Sequence, residues 1–199
     1  MKREADGPEA GLEDARCVQQ VLAGDASAFD PLVKRYQRRA MAVSYRLLND
    51  RDDAMEVTQD AFLKAFDKLE SLTKPERFGS WLLRIVSNLS LNKRRRRALR
   101  RTASLDVAGD EDDTSRGEQQ TDTREDLPDE VTSGAEAREI LDRELQKLPE
   151  KQRRALVLFS MEKLPQKEVA ELLEISVEAV KWHVFTARKK LKERMREYL

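Results

Sequence analysis

Between positions 84 and 101 the chain sets polar and cationic side chains at helical spacing. Arg84, Asn88, Asn92 and Arg95 recur at i, i+4, i+8 and i+11, and the run Lys93-Arg94-Arg95-Arg96-Arg97 leads on to Arg100-Arg101. Cations this dense on one helix repel one another unless a polyanion is nearby. Each phosphate they meet releases counterions and makes binding steeply salt-dependent. The pattern fits nucleic-acid contact; a localisation signal and a solvated face are its rivals. Catalytic chemistry finds less support. Cys17 and His183 each stand alone, and no glycine-rich phosphate loop, metal-ligand cluster or serine triad is present.

A second stretch, Leu164 to Leu191, points the same way. Pro165 suits the first position of a helix, and Val169, Ala170, Leu172 and Leu173 give that short helix one apolar face. Ser176 then offers an N-cap for a second helix. Val180, Val184, Ala187 and Leu191 fall on one side of it, and Glu178, Lys181, Trp182, Phe185 and Lys189 on the other. Two short helices, a tight turn and a partly basic outer face describe a helix-turn-helix whose second helix enters the major groove. A plain helical hairpin with a solvated face has the same pattern.

The remaining elements must position these faces. The chain has 199 residues, of which 38% are charged, with 38 cationic residues balancing 38 anionic ones. The balance hides a segregation of charge, because the basic run is followed by an acidic stretch. No apolar run is long enough to span a membrane and no signal peptide is evident. A reducing cytoplasm is expected, and no disulfide, metal or cofactor.

Periodicity predicts an all-α fold: two small helical domains joined by a flexible acidic linker. Residues 1–11 read as a loose arm. A short helix from Leu12 to Ala23 carries Leu12, Ala15, Val18, Val21 and Leu22 as an imperfect apolar stripe. The next helix starts with Asp30 as cap and Pro31 at its first position, which spares the roughly 3 kcal/mol that an interior proline costs. A third spans Arg51 to Leu69, with Met55, Phe62, Phe66 and Leu69 as its core side, Ala54, Val57, Ala61 and Ala65 beside them, and Asp53, Glu56, Gln59, Asp60 and Asp67 outside. After a loop, a fourth runs from Phe78 to about Arg101, with Trp81 read as core. The first domain therefore covers 12–101. Residues 102–133, with Asp110-Glu111-Asp112-Asp113, bury too little to fold and read as the linker. Its acids are expected to compete with DNA for the basic run. A second domain, 134–199, holds four helices. His183 is expected to be half-buried and structural.

Three stretches carry a family resemblance: DASAFDPLVKRY followed by DDAMEVTQDAFLKAFDKL, then FGSWLLRIVSNLSLNKRRRR, then LPEKQRRALVLFSMEKLPQKEVAELLEISVEAVKWHVFTARKKL. In order and spacing they resemble the extracytoplasmic-function (ECF) group of bacterial RNA polymerase sigma factors, the first two looking like region 2 and the third like region 4. The resemblance implies a subunit that binds core RNA polymerase and selects promoters, with no catalysis of its own, in answer to a stress or envelope signal.

It also implies residue roles. Asp53, Glu56, Gln59 and Asp60 would dock on the clamp of the largest subunit, and the second domain on the flap of the second subunit. Lys74, Arg77, Arg84, Asn88, Asn92, Arg94, Arg95, Arg96 and Arg97 would face the −10 element, with an extruded base held by the Leu72 to Gly79 loop. Ser176, Glu178, Lys181, Trp182, Phe185, Arg188 and Lys189 would face the −35 element. The pair Trp182-His183 departs from many relatives, which carry a small polar residue followed by arginine there. An anti-sigma protein is the implied inhibitor. A stand-alone helix-turn-helix regulator or an interaction scaffold would account for parts of the chain.

Overall fold

In the computed structural model the described residues are 8–107, 132–196 and Tyr198, and every regular element among them is helical. The first domain comprises α1 (Pro8–Leu22), α2 (Asp30–Leu48), α3 (Arg51–Asp67) and α4 (Phe78–Val107). The second comprises α5 (Thr132–Gln146), α6 (Glu150–Leu156), α7 (Gln166–Leu173) and α8 (Val177–Met195). No helix among the described residues is long and apolar enough to cross a membrane.

Local sequence sets the boundaries. Asp25 caps a short 3-10 turn by accepting the Ser27 N–H at 3.0 Å, and that turn leads into α2 with Pro31 in its first turn. Asp30, expected to cap α2, is instead its first residue; the cap position falls to Phe29, which makes no side-chain capping bond, because the preceding 3-10 turn runs straight into the helix. Asn49 closes α2 in the left-handed conformation, φ 54°, a role asparagine tolerates. Asp50 then caps α3 through the Asp53 N–H at 2.9 Å.

Three expectations are revised. α1 begins at Pro8, inside the predicted arm, and its inward stripe is Ala10, Asp14 and Val18, with Leu12 and Leu22 exposed. The reason is polar: Asp14 is buried because Arg35 and the Tyr36 hydroxyl both donate to it, the latter at 2.5 Å. On α3 the core side is Ala54, Val57, Ala61, Phe62 and Ala65, while Met55 is 52% exposed and Phe66 lies at the surface. Small residues let the helix approach α2 and α4 closely, which turns the larger ones outward. Finally, α4 continues to Val107 and α5 starts at Thr132, so helix enters the predicted linker from both sides. The acidic tetrad Asp110 to Asp113 lies outside the described residues.

Phe78 organises the first domain. It is fully buried, with its ring centroid 6.0 Å from Phe29, 5.6 Å from Tyr36 and 6.0 Å from Trp81. Trp81 is partly buried against this core. In the second domain Leu145, Leu148, Ala155, Leu158, Val169, Val180, Val184, Ala187 and Leu191 close the interior.

Candidate nucleic-acid interface

The helix-turn-helix is α7, a turn, and α8. Glu174 ends α7 in the left-handed conformation, φ 56°. Ser176 caps α8, its Oγ accepting the Ala179 N–H at 3.1 Å. With Val180, Val184, Ala187 and Leu191 buried, the outer face of α8 presents Glu178, Lys181, Trp182, Phe185, Arg188 and Lys189. Trp182 is 58% exposed and Phe185 69%, far more than a helix this well seated requires of two large aromatic residues. Arg188 is held by the preceding segment: it donates to Ser160 Oγ at 3.0 Å and lies 5.7 Å from the centre of the Phe159 ring. His183, beside Trp182, is half-buried, and burial together with the Lys151 charge holds its imidazole below the usual value.

The first domain carries the other basic face. Lys74 and Arg77 are exposed in the loop before α4, and Asn92 and Arg96 are exposed along it. The remaining candidates have protein partners. Arg84 pairs with Glu174 at 2.8 Å, Arg154 donates to Asn88 Oδ1 at 2.7 Å, and Arg94 donates to Gln146 Oε1 at 2.7 Å. Arg95 lies 3.6 Å from Glu150. All four partners belong to the second domain, so part of the predicted DNA face is occupied by the chain itself.

The basic run also meets the acidic face of α3. Arg97 donates to Asp53 at 2.5 Å and pairs with Asp50 at 3.2 Å. Lys93 lies 3.3 Å from Asp53 and donates to Glu56 at 2.5 Å, a hydrogen bond that raises the lysine's pKa. Gln59 and Asp60 remain exposed. Gln59 also lines a groove of about 600 Å³ between α2 and α3, with Phe29, Val33, Phe62, Leu63 and Phe66 as its apolar walls. Leu63 is 66% exposed.

Sequence reasoning missed this groove, although the spacing of Ala54, Ala61 and Ala65 marks the close-packed side of α3 and so turns Leu63 and Phe66 outward. It also missed Arg39, Arg46 and Glu162, which join the two domains: Arg39 donates to Glu162 Oε2 at 2.8 Å and Arg46 to its Oε1 at 3.1 Å. No local sequence signal pairs residues this far apart.

Two family models match the chain, Sigma-70 region 2 over residues 32–100 and Sigma-70 region 4 over residues 138–191. The chain is 30% identical to the ECF RNA polymerase sigma-E factor of Escherichia coli strain K12, over 89% of its own length and 91% of that protein's. It is 29% identical to the ECF RNA polymerase sigma factor SigW of Bacillus subtilis, over 90% and 95%. Among solved structures it is similar to CnrH, seen in complex with the cytosolic domain of CnrY, with a TM-score of 0.64, 27% identity and coverage of 93% of this chain and 98% of that one. Its fold is also shared by the sigma factor RpoE of Bartonella quintana, in complex with the anti-sigma factor NepR, with a TM-score of 0.63, 21% identity and coverage of 84% and 96%.

Proposed function

The chain belongs to the ECF group of RNA polymerase sigma factors, and from that premise we propose how its surfaces divide the work. It is an alternative sigma factor that directs transcription initiation in response to a signal. The observation that carries the assignment of surfaces is the outer face of α8, where Lys181, Trp182, Phe185 and Lys189 stand exposed on a helix whose opposite side is buried.

In this reading α8 enters the major groove at the −35 element. Lys181, Arg188 and Lys189 meet phosphates, and the Trp182 and Phe185 rings make apolar contact with the groove, including thymine methyl groups. Ser176 and Glu178, at the start of the helix, are nearest the base edges. Lys74, Arg77, Arg84, Asn88, Asn92 and Arg94 to Arg97 serve the −10 element, asparagines reading base edges and arginines gripping the backbone. The Leu72 to Gly79 loop receives an extruded base.

The polymerase face is α3. Asp53, Glu56 and Asp60 supply its charge, Gln59 a neutral hydrogen-bonding amide, and the neighbouring groove with Phe62, Leu63 and Phe66 supplies apolar area. An exposed apolar groove beside a helix that carries these acids suits a partner helix with an apolar and basic face, the character assigned here to the clamp of the largest polymerase subunit. The second domain docks on the flap of the second subunit. An anti-sigma protein is the inhibitory partner, as it is for the relative crystallised with NepR. The chain acts in the cytoplasm, adds no catalysis of its own and needs no cofactor.

Run-off transcription from genomic promoter fragments, with core polymerase and this protein, tests the reading. Specific transcripts should require the protein and vanish when Glu56→Lys and Asp60→Lys are combined. If core polymerase gains nothing while the protein alone still shifts promoter DNA, a stand-alone regulator replaces the sigma factor.

A further inference from the structure

Asp14 is a carboxylate inside the first domain, 1% exposed, on the inward stripe of α1. A charge in that place costs desolvation, and a well-packed apolar side chain would serve stability as well. What the carboxylate gives is position. Both of its oxygens are held from α2: the Tyr36 hydroxyl donates to Oδ2 at 2.5 Å and the Arg35 guanidinium to Oδ1. Arg35 also donates to the Ala10 carbonyl at 3.1 Å and to the Glu13 carboxylate. Bonds to Ala10, Glu13 and Asp14 together fix the rotation of α1 and its height along α2. Burial, and then the Asp14 bond, raise the Tyr36 phenol above its usual value, so the hydroxyl stays a donor.

The partners of Asp14 lead directly to the segment between α3 and α4. α1 lies on that segment at Gly11, where a Cβ would stand 3.1 Å from the Glu76 main-chain oxygen. Gly11 follows Ala10, whose carbonyl Arg35 holds. At the start of α4 the Tyr36 ring centroid lies 5.6 Å from that of Phe78, and a Cβ on Gly79 would come within 2.9 Å of the phenolic oxygen. The segment is thus gripped at two places, at Glu76 in its short 3-10 turn (Pro75–Arg77) and at Phe78-Gly79 where it enters the helix. Leu72 and Phe78 are buried, whereas Thr73, Lys74, Glu76 and Arg77 stand exposed between them.

We propose that Asp14 is a positioning residue for recognition at the −10 element. Through Tyr36 and Arg35 it sets the Leu72 to Gly79 loop where the exposed side chains of that loop can meet the extruded base, without touching DNA itself. The inference rests on the reading of this loop as the base-receiving one and names what holds it in register. A fully satisfied buried network rigidifies the structure around it and specifies one arrangement. A base contact needs such an arrangement, because a hydrogen bond weakens steeply once its distance or angle departs from the favoured range.

The full-length chain with core polymerase tests it, on a promoter that the holoenzyme transcribes, varied one base at a time through the −10 and −35 elements. The wild-type holoenzyme should lose about tenfold or more when the extruded base is replaced, the scale of one mismatch. Asp14→Asn keeps the shape but offers no charged acceptor to the two donors. It should shrink that preference to about threefold or less and leave the preferences at the other positions in place. Tyr36→Phe, which removes only the hydroxyl, should do the same and carries the test alone if Asp14→Asn fails to fold. The double variant should lose no more than either single one, as residues acting through one contact do. Val43→Ala, at a buried site about two turns further along α2, controls for lost stability and should lower transcription evenly from every promoter. Wild-type preferences in Asp14→Asn and Tyr36→Phe, or an even loss like that of Val43→Ala, overturn the proposal. The loop is tested separately: if Thr73→Ala combined with Glu76→Ala leaves every −10 preference unchanged, the base-receiving reading falls and the proposal with it.

Discussion

Arg97 donates to Asp53 at 2.5 Å, tying the basic run of α4 to the acidic side of α3. The surface proposed for polymerase and the surface proposed for DNA therefore share an ion pair, and Lys93 repeats the connection with Asp53 and Glu56. Each face neutralises part of the other until its own partner arrives.

Removing Arg97 should consequently act in opposite directions on the two partners. Arg97→Ala leaves Asp53 with Lys93 as its remaining cationic partner and should tighten binding to core polymerase by no more than a few-fold, since a partly exposed pair contributes about 0.2–1 kcal/mol. The same change should weaken DNA binding by the holoenzyme and reduce the slope of log affinity against log salt by about one. Titrations of labelled protein with core polymerase, and of holoenzyme with promoter DNA across a salt series, read both effects. Loss of affinity for both partners would show that the pair is structural only.

Gly79 should tolerate no side chain. A Cβ there would lie 2.6 Å from Cε1 of Tyr36. That ring cannot swing away, because its hydroxyl donates to buried Asp14 and the ring lies tilted against Phe78, centroids 5.6 Å apart. Gly79→Ala should destabilise the first domain by about 1–3 kcal/mol, the usual range for overpacking. In a chain of this size each kcal/mol lowers Tm by about 2–4 °C. A melting curve that superimposes on wild type would mean the ring yields freely.

These two cases mark what the sequence made legible. Helix positions followed from apolar periodicity and from Pro31 and Ser176 at their starts, since such signals act within a turn or two; the capping of α3 by Asp50 emerged only in the structure. The face of α8 was legible for the same reason, its buried and exposed residues alternating with the helical period. The side of α3 that is buried was not, because Met55 and Phe66 outweigh Ala54, Ala61 and Ala65 in any reading by hydrophobicity, whereas close helix packing selects for small size. The inward Asp14 was hidden likewise: a carboxylate looks exposed until Arg35 and Tyr36 are known to face it. The pairing of Glu162 with Arg39 and Arg46 depends wholly on tertiary arrangement.

The aromatic pair on α8 should separate stability from recognition. Trp182 and Phe185 are exposed, so Phe185→Ala and Trp182→Ala should each change stability by less than about 0.5 kcal/mol. Each should nevertheless weaken promoter recognition at the −35 element by about 1–3 kcal/mol, the scale of a good base-edge contact. Transcription from promoters carrying successive substitutions in that element would show the loss. Unaltered promoter preference in both variants would place another face of the domain on DNA.

His183 gives the second domain a defined acid sensitivity. Burial is the main cause of its lowered pKa, and the Lys151 charge adds to it; its Nδ1 is buried and accepts no hydrogen bond among the described residues. The unfolded chain, with histidine near about 6.5, therefore binds a proton before the folded chain does. Where the unfolded state holds more protons, stability rises with pH. The contribution of neutral His183 is thus fully present above about pH 6.5 and is lost as pH falls from there through the depressed folded value. His183→Gln, which cannot titrate, should flatten this part of the dependence while leaving the carboxylate-driven fall at lower pH in place. Thermal melts of both proteins between about pH 7.5 and 5 measure the difference. Parallel curves across that window would mean that the imidazole reaches solvent and protonates at no cost to the fold.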